Sequence, residues 1–147
     1  MLSQTAEYAL RATLYLAEHP AGSARVGDLA AALEVPQNYL SKTLHQLAKA
    51  GILTSTRGKH GGFRLARPSG EIRLLEIVAP FERFTDARQC LLGSTVCSDQ
   101  SPCAAHSRWK EVKERSNAFF RDTSLKDLIR PAAPVALARP PAKRSRT

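Results

Sequence analysis

The sequence predicts a mainly α-helical protein with a small β-wing: a winged helix-turn-helix unit followed by a long C-terminal dimerisation helix. Three observations predict this class. Apolar residues recur at helical spacing in three segments before residue 51. Two short β-prone segments then flank a basic, glycine-rich turn. A long helical pattern follows Pro102, and 147 residues leave room for one core of this kind.

The first three predicted helices form the helix-turn-helix. The first carries a stripe of apolar and small residues at helical spacing, namely Ala6, Ala9, Leu10, Thr13, Leu16 and Ala17. Pro20 and Gly22 end it. The second helix places Val26, Leu29, Ala30 and Leu33 on one face, with Asp28 near the positive end of its dipole. The third begins near Pro36 and stops before Gly51, which suits a left-handed cap.

The third helix has two distinct faces. Leu40, Leu44 and Leu47 form the inward stripe. The outward residues are all polar or basic, namely Gln37, Asn38, Ser41, Lys42, His45 and Lys49. Surface helices commonly have such faces, so the alternative is a solvated surface. The segment that follows favours contact with a DNA major groove.

That segment predicts a basic β-wing. Strands are expected over Leu53 to Arg57 and over Phe63 to Arg67, joined by a turn whose glycines tolerate positive φ. Four basic or titratable side chains lie on or next to the turn, namely Arg57, Lys59, His60 and Arg64. We expect them to contact phosphates or the minor groove, while Gln37, Asn38, Ser41, Lys42 and His45 contact the major groove.

Further helices are predicted after the wing. One runs from about Arg73 to Arg83 and is bent or ended around Pro80. A long helix starts at Ser101-Pro102, a capping hydroxyl followed by proline. Its seam of Ala105, Trp109, Val112, Ser116 and Phe119 favours pairing with a second copy; the alternative is packing within its own subunit. One more short helix fits Ser124 to Arg130.

Composition narrows the partners and the compartment. The net charge of +9 and a pI near 10 favour a polyanion such as double-stranded DNA, with a membrane surface as the weaker alternative. No apolar stretch approaches the length of a membrane span, and residues 1–20 lack the pattern of a signal peptide, so we expect a cytoplasmic protein. The tail over 131–147 contains four prolines and four basic residues and is expected to be disordered.

Three cysteines and a histidine predict a metal site. Cys90, Cys97, Cys103 and His106 fall within seventeen positions, and thiolate and imidazole are ligands that zinc and iron–sulfur clusters select. Cys103 and His106, three residues apart in an expected first helical turn, would lie on one face. Structural zinc and regulatory thiols remain alternatives. A thiol redox enzyme is disfavoured, since the chain has no Cys-x-x-Cys pair and no phosphate-binding glycine motif.

Several motifs resemble one family. They are Glu7-Tyr8-Ala9-Leu10-Arg11, Val35-Pro36-Gln37-Asn38-Tyr39-Leu40, Ala50-Gly51-Ile52-Leu53 and the wing segment from Ser55 to Arg67. Over roughly residues 1 to 130 the chain resembles the Rrf-two family of bacterial winged-helix transcription regulators. The resemblance implies a homodimeric DNA-binding regulator, a repressor in our interpretation, with no catalytic residues and no small-molecule substrate.

The resemblance also implies a cofactor. Family members that regulate cluster biogenesis or sense nitric oxide hold an iron–sulfur cluster through three cysteines, here Cys90, Cys97 and Cys103. Similarity to the biogenesis regulators points to His106 as fourth ligand and to a 2Fe–2S cluster. Similarity to the nitric-oxide sensors points instead to Glu7, donated by the other subunit to a 4Fe–4S cluster. We favour His106.

The predicted organisation follows from these segments. Residues 1–84 form the DNA-binding domain, 85–107 the cysteine loop and helix start, 108–130 the dimerisation helix and a short terminal helix, and 131–147 the basic tail. The signal sensed would be iron–sulfur, redox or nitric oxide status.

Overall fold

The protein was analysed as a computed structural model that describes residues 2–82, 90–92 and 98–129. Cys97, the end of the predicted helix at Arg83, and the tail predicted for 131–147 lie outside the described residues. None of the helices in the described residues combines the length and the apolar composition of a membrane span.

Three helices build the N-terminal half, as predicted. They are α1 (Gln4–Glu18), α2 (Val26–Leu33) and α3 (Gln37–Lys49). The Ser3 hydroxyl caps α1 by accepting a hydrogen bond from the Ala6 amide at 3.2 Å. Pro36 is the residue that caps α3, not its first helical residue. Gly51 follows α3 with a φ of +78°, the left-handed conformation expected for it.

The inward stripe of α3 lies in the centre of the core. Leu40, Leu44 and Leu47 are fully buried, as predicted. On α1, Ala6, Ala9 and Ala12 are also fully buried. These alanines and leucines belong to one buried cluster, and small side chains allow two helices to approach closely. This packing fixes α3 with its polar face outward.

The wing is an antiparallel hairpin of β1 (Leu53–Thr56) and β2 (Gly62–Leu65). Both strands are shorter than predicted, because the ladder ends where the basic turn begins. Ala24 extends the sheet on its other side by exchanging backbone hydrogen bonds of 2.9 and 2.8 Å with Phe63. A Cβ at Gly62 would lie 2.3 Å from the Ala24 carbonyl oxygen, and Gly62 has a φ of +149°. Glycine is therefore required at this contact.

After the wing, the described residues contain two helices and two short 3₁₀ turns. These are a 3₁₀ turn at Ser69–Glu71, α4 (Leu74–Val78), α5 (His106–Asp122) and a 3₁₀ turn at Leu125–Leu128. The helix predicted from about Arg73 ends near Pro80, as one of the two expected outcomes. The last residue of α4 lies two positions before that proline. The short helix predicted at Ser124 to Arg130 is a 3₁₀ turn, and Arg130 lies outside the described residues.

The predicted start of the long helix was wrong. Ser101-Pro102 does not begin α5; the helix starts four residues later, at His106. The Ser101 amide donates to the Ser98 carbonyl at 3.3 Å, and the His106 amide donates to the Cys103 carbonyl at 3.0 Å. Both bonds close tight turns of four residues, and serine and proline suit turns as well as a helix start. Cys103 therefore precedes the helix and does not share its first turn with His106.

The end of α5 returns to the core. The Leu74 amide donates to the Thr123 carbonyl at 3.0 Å, and the Leu125 amide donates to the Ile72 carbonyl at 2.8 Å. Phe120 and Leu125 belong to the same buried cluster as the leucines of α3. The C-terminal segment is thus joined to the core that positions α3.

Candidate nucleic-acid interface and cysteine site

The outer face of α3 carries the predicted groove contacts on the surface. Gln37, Asn38, Lys42 and His45 are exposed, and Ser41 is half-buried. Because the opposite face is anchored by fully buried leucines, the helix presents these side chains on a rigid element. Amides, a hydroxyl and an ammonium are groups that can read base edges or bind phosphate.

His45 also connects α3 to the wing. Its ring packs edge-on against the Phe63 ring, with the ring centroids 5.3 Å apart and the planes at 78°. Phe63 is buried, so the contact fixes β2 against α3. The helix face and the wing are therefore parts of one surface.

The wing presents the four predicted basic or titratable side chains to solvent. Arg57, Lys59, His60 and Arg64 are all exposed. Arg64 lies on β2 opposite Thr54, and the other three lie between the strands. Exposed cations on a hairpin next to a polar helix face form a surface suited to a phosphate backbone.

Two residues of this region were missed by the sequence reasoning. The exposed Tyr39, in the first turn of α3, shares a hydrogen bond of 2.7 Å with the Thr5 hydroxyl and packs edge-on against the Tyr8 ring at 5.8 Å. Arg25 precedes α2, and its guanidinium donates a hydrogen bond to the Lys59 carbonyl in the wing. Their hydrogen-bond partners are 34 positions away in the chain, so these contacts follow from no local pattern.

The cysteine site is described in part. Cys90 and Cys103 are half-buried, while Cys97 lies outside the described residues. Glu7, the alternative fourth ligand, is exposed in the first turn of α1. Among the residues that the structure describes, no three metal-ligating side chains are gathered at one point. The ligand set therefore stays a prediction.

His106 is buried and held by an acid that the sequence reasoning did not identify. Its side chain is 9% exposed, and Nε2 lies 2.8 Å from Asp99 Oδ1. The Lys110 ammonium binds the same carboxylate at 3.2 and 3.3 Å. The hydrogen bonds from His106 and then from Lys110 hold the pKa of Asp99 below its usual range. Asp99 therefore fixes the orientation of the imidazole ring through Nε2.

The predicted seam on α5 faces outward. Val112 and Phe119 are 51% and 53% exposed, although both are large and apolar. The buried residues of the helix, His106, Lys113 and Phe120, follow the seam positions by one residue and occupy the adjacent face. Leu91, Ala105, Trp109 and Val112 line part of a groove of about 390 Å³ beside the seam. Within the described residues, α5 thus has one buried face, which joins the apolar core at Phe120, and a second face with large apolar side chains on the surface.

Comparison with protein families gives one match over most of the chain. Residues 2–131 match the Rrf2 model, described as an iron-dependent transcriptional regulator. An HTH-type transcriptional regulator of Aquifex aeolicus is 35% identical, and the match covers 88% of this chain and 91% of that protein. The transcriptional regulator IscR of Xenorhabdus nematophila is 29% identical, covering 88% of this chain and 79% of that protein.

Comparison with solved structures supports the fold. CymR of Bacillus subtilis, described as its global cysteine regulator, superposes with a TM-score of 0.73 at 22% identity. The match covers 87% of this chain and 95% of that one. Similarity at this level of identity supports the winged-helix architecture.

Proposed function

Since the chain belongs to the Rrf2 family of transcriptional regulators, we propose that it is a cytoplasmic, homodimeric repressor whose affinity for a DNA operator is set by an iron–sulfur cluster. Transcription regulation through DNA binding follows from the family, whose members are regulators and not enzymes. The cluster, the dimer, the sense of regulation and the residue roles are proposed.

The single observation that carries the cluster proposal is the arrangement at the start of α5. A half-buried thiol, Cys103, precedes a buried imidazole, His106, by one turn, and a carboxylate orients that imidazole. Carboxylate–histidine pairs are the usual support of a histidine ligand. The donor chemistry of Cys90, Cys97, Cys103 and His106 fits a thiolate-bound group, which would supply a centre reactive toward oxidants and nitric oxide when bound.

The chain's own residues would connect this site to DNA. Cys103 lies in the turn that enters α5, and α5 ends in the core that anchors α3. A change in the order of the cysteine segment would therefore act on the position of α5 and, through it, on the spacing of two reading surfaces in a dimer. The exposed apolar seam of α5 supports the second copy as its partner, because large apolar side chains are rarely left together on a surface.

The proposed function is tested by anaerobic purification followed by iron, sulfide and zinc analysis. We expect iron and sulfide in equal amounts, and a change of about 5- to 150-fold in operator affinity when the cluster is lost, the usual range of a coupling between two sites. Air-oxidised protein from the same preparation is the control. Zinc without sulfide would support the structural-zinc alternative. Metal-free protein whose DNA affinity responds to thiol oxidation would support regulatory thiols.

The fourth ligand is tested separately. We expect His106→Ala to perturb the cluster spectrum and to release iron faster than Glu7→Ala does, because the imidazole is already buried and oriented by Asp99 whereas Glu7 is exposed. Visible circular dichroism of matched anaerobic samples measures the difference. If Glu7→Ala has the larger effect, Glu7 and not His106 is the fourth ligand, and the 4Fe–4S form is favoured.

A further inference from the structure

A basic groove beside the wing extends the surface beyond the predicted DNA contacts. Its volume is about 570 Å³, and it lies between the wing and the segment that joins α1 to α2. The charged or titratable side chains that line it are Arg25, Asp28, Lys59, His60 and Arg64. Arg25 belongs to the segment before α2, so its position relative to the wing depends on the tertiary structure.

The backbone next to Arg25 is fixed against the wing. Ala24 exchanges hydrogen bonds of 2.9 and 2.8 Å with Phe63, the residue at which β2 packs against α3. Gly62 permits this close approach, since any side chain there would collide with the Ala24 carbonyl. The backbone of Arg25 is therefore held at a defined position beside the hairpin.

The side chain of Arg25 then reaches the tip of the wing. Its guanidinium donates a hydrogen bond to the backbone carbonyl of Lys59, which lies in the turn between β1 and β2. Within the turn, the Gly61 amide donates to the Gly58 carbonyl at 2.9 Å. The ladder of the hairpin stops at Thr56 and Gly62, so the turn that carries Lys59 extends beyond the paired strands.

We propose that Arg25 is a positioning residue for DNA binding: it holds the wing tip in the conformation in which Lys59 meets the phosphate backbone. The inference rests on the proposed role of the wing. A loop that is ordered before binding does not lose its conformational entropy on binding, and this raises affinity without a new contact. Arg25 thus acts through its bond to the Lys59 carbonyl and not mainly through its own charge.

The experiment compares Arg25→Ala, Lys59→Ala and the double variant. Arg25→Met is a second variant that keeps the aliphatic stem, and Arg115→Ala, an exposed arginine on α5, is the control for loss of one positive charge. Hydrogen exchange of the free protein measures the order of the turn over 57–61. Binding to a random-sequence duplex at several salt concentrations measures the affinity and its salt slope.

We expect Arg25→Ala and Arg25→Met to accelerate exchange in the turn about tenfold or more while the amides of α1 and α3 stay protected. Each should weaken DNA binding about tenfold, and clearly less when Lys59 is already alanine, because residues that act through one contact are not additive. Arg115→Ala should leave exchange in the turn unchanged.

Unchanged exchange in the turn, or losses of affinity that add in the double variant, would overturn the inference and make Arg25 at most a direct phosphate contact. The proposed function fails differently. If Lys59→Ala leaves DNA affinity and salt slope unaltered, Lys59 is not a phosphate contact, while the exchange data still decide whether Arg25 orders the turn.

Discussion

Cys103→Ala is expected to remove iron, sulfide and the brown colour from anaerobically purified protein without loss of helical circular dichroism. Cys103 lies in a turn before α5 and outside the buried apolar cluster, so its thiol is not needed for packing. A cluster held by three thiolates loses one of its strongest bonds when a cysteine is removed. Cys90→Ala and Cys97→Ala should have the same effect.

The control for this experiment is Ser101→Ala, which changes a small exposed residue in the same segment. Its iron and sulfide content should equal that of the unmodified protein. Operator affinity of Cys103→Ala should match that of the cluster-free protein, since both lack the same group. Iron and sulfide retained in all three single cysteine variants would contradict the assignment of the ligands.

The DNA-binding half of the fold follows from local patterns. In α3, the spacing of Leu40, Leu44 and Leu47 alone separates a buried face from a polar one, because the period of a helix decides which residues share a side. Gly51 identifies the end of α3 for a reason equally local, the left-handed conformation that glycine adopts without strain. These features need no knowledge of distant partners.

The start of α5 shows where local signals are ambiguous. Ser101-Pro102 is compatible with a helix start and with a turn, and in the structure Ser101 closes one turn while Pro102 lies between that turn and the one that precedes α5. In the structure the helix begins at His106, which is buried at the first helical position. A cap signal identifies residues that can begin a helix and does not by itself fix the first one.

The supports of the functional residues are the part that sequence reasoning missed. Asp99 holds His106, and Arg25 holds the Lys59 carbonyl. Both are charged surface residues of a kind present throughout the chain, and neither belongs to a repeat or motif. Their roles arise from contacts across turns and between segments, which a one-dimensional pattern does not record.

Asn38→Ala is expected to reduce the preference for the operator over random DNA by about 5- to 150-fold, because a bidentate base contact contributes about 1–3 kcal/mol of discrimination. Asn38 is exposed in the first turn of α3, on a helix fixed by its buried face. An amide carries no charge, so removing it does not change the number of counterions that are released when the protein binds DNA. The slope of log affinity against log salt should therefore remain as in the unmodified protein.

Lys59→Ala and Arg64→Ala are the matched comparison, since both change exposed cations of the wing. Each should weaken binding to operator and random DNA alike and reduce the salt slope by about 1, the contribution of one phosphate contact. If Asn38→Ala loses the same affinity for operator and for random DNA, Asn38 on α3 does not contribute to base recognition. If the salt slope is unaltered in both basic variants, the wing does not contact phosphates. Specificity and salt dependence thus separate the two halves of one surface, because base edges carry sequence information and phosphates carry charge.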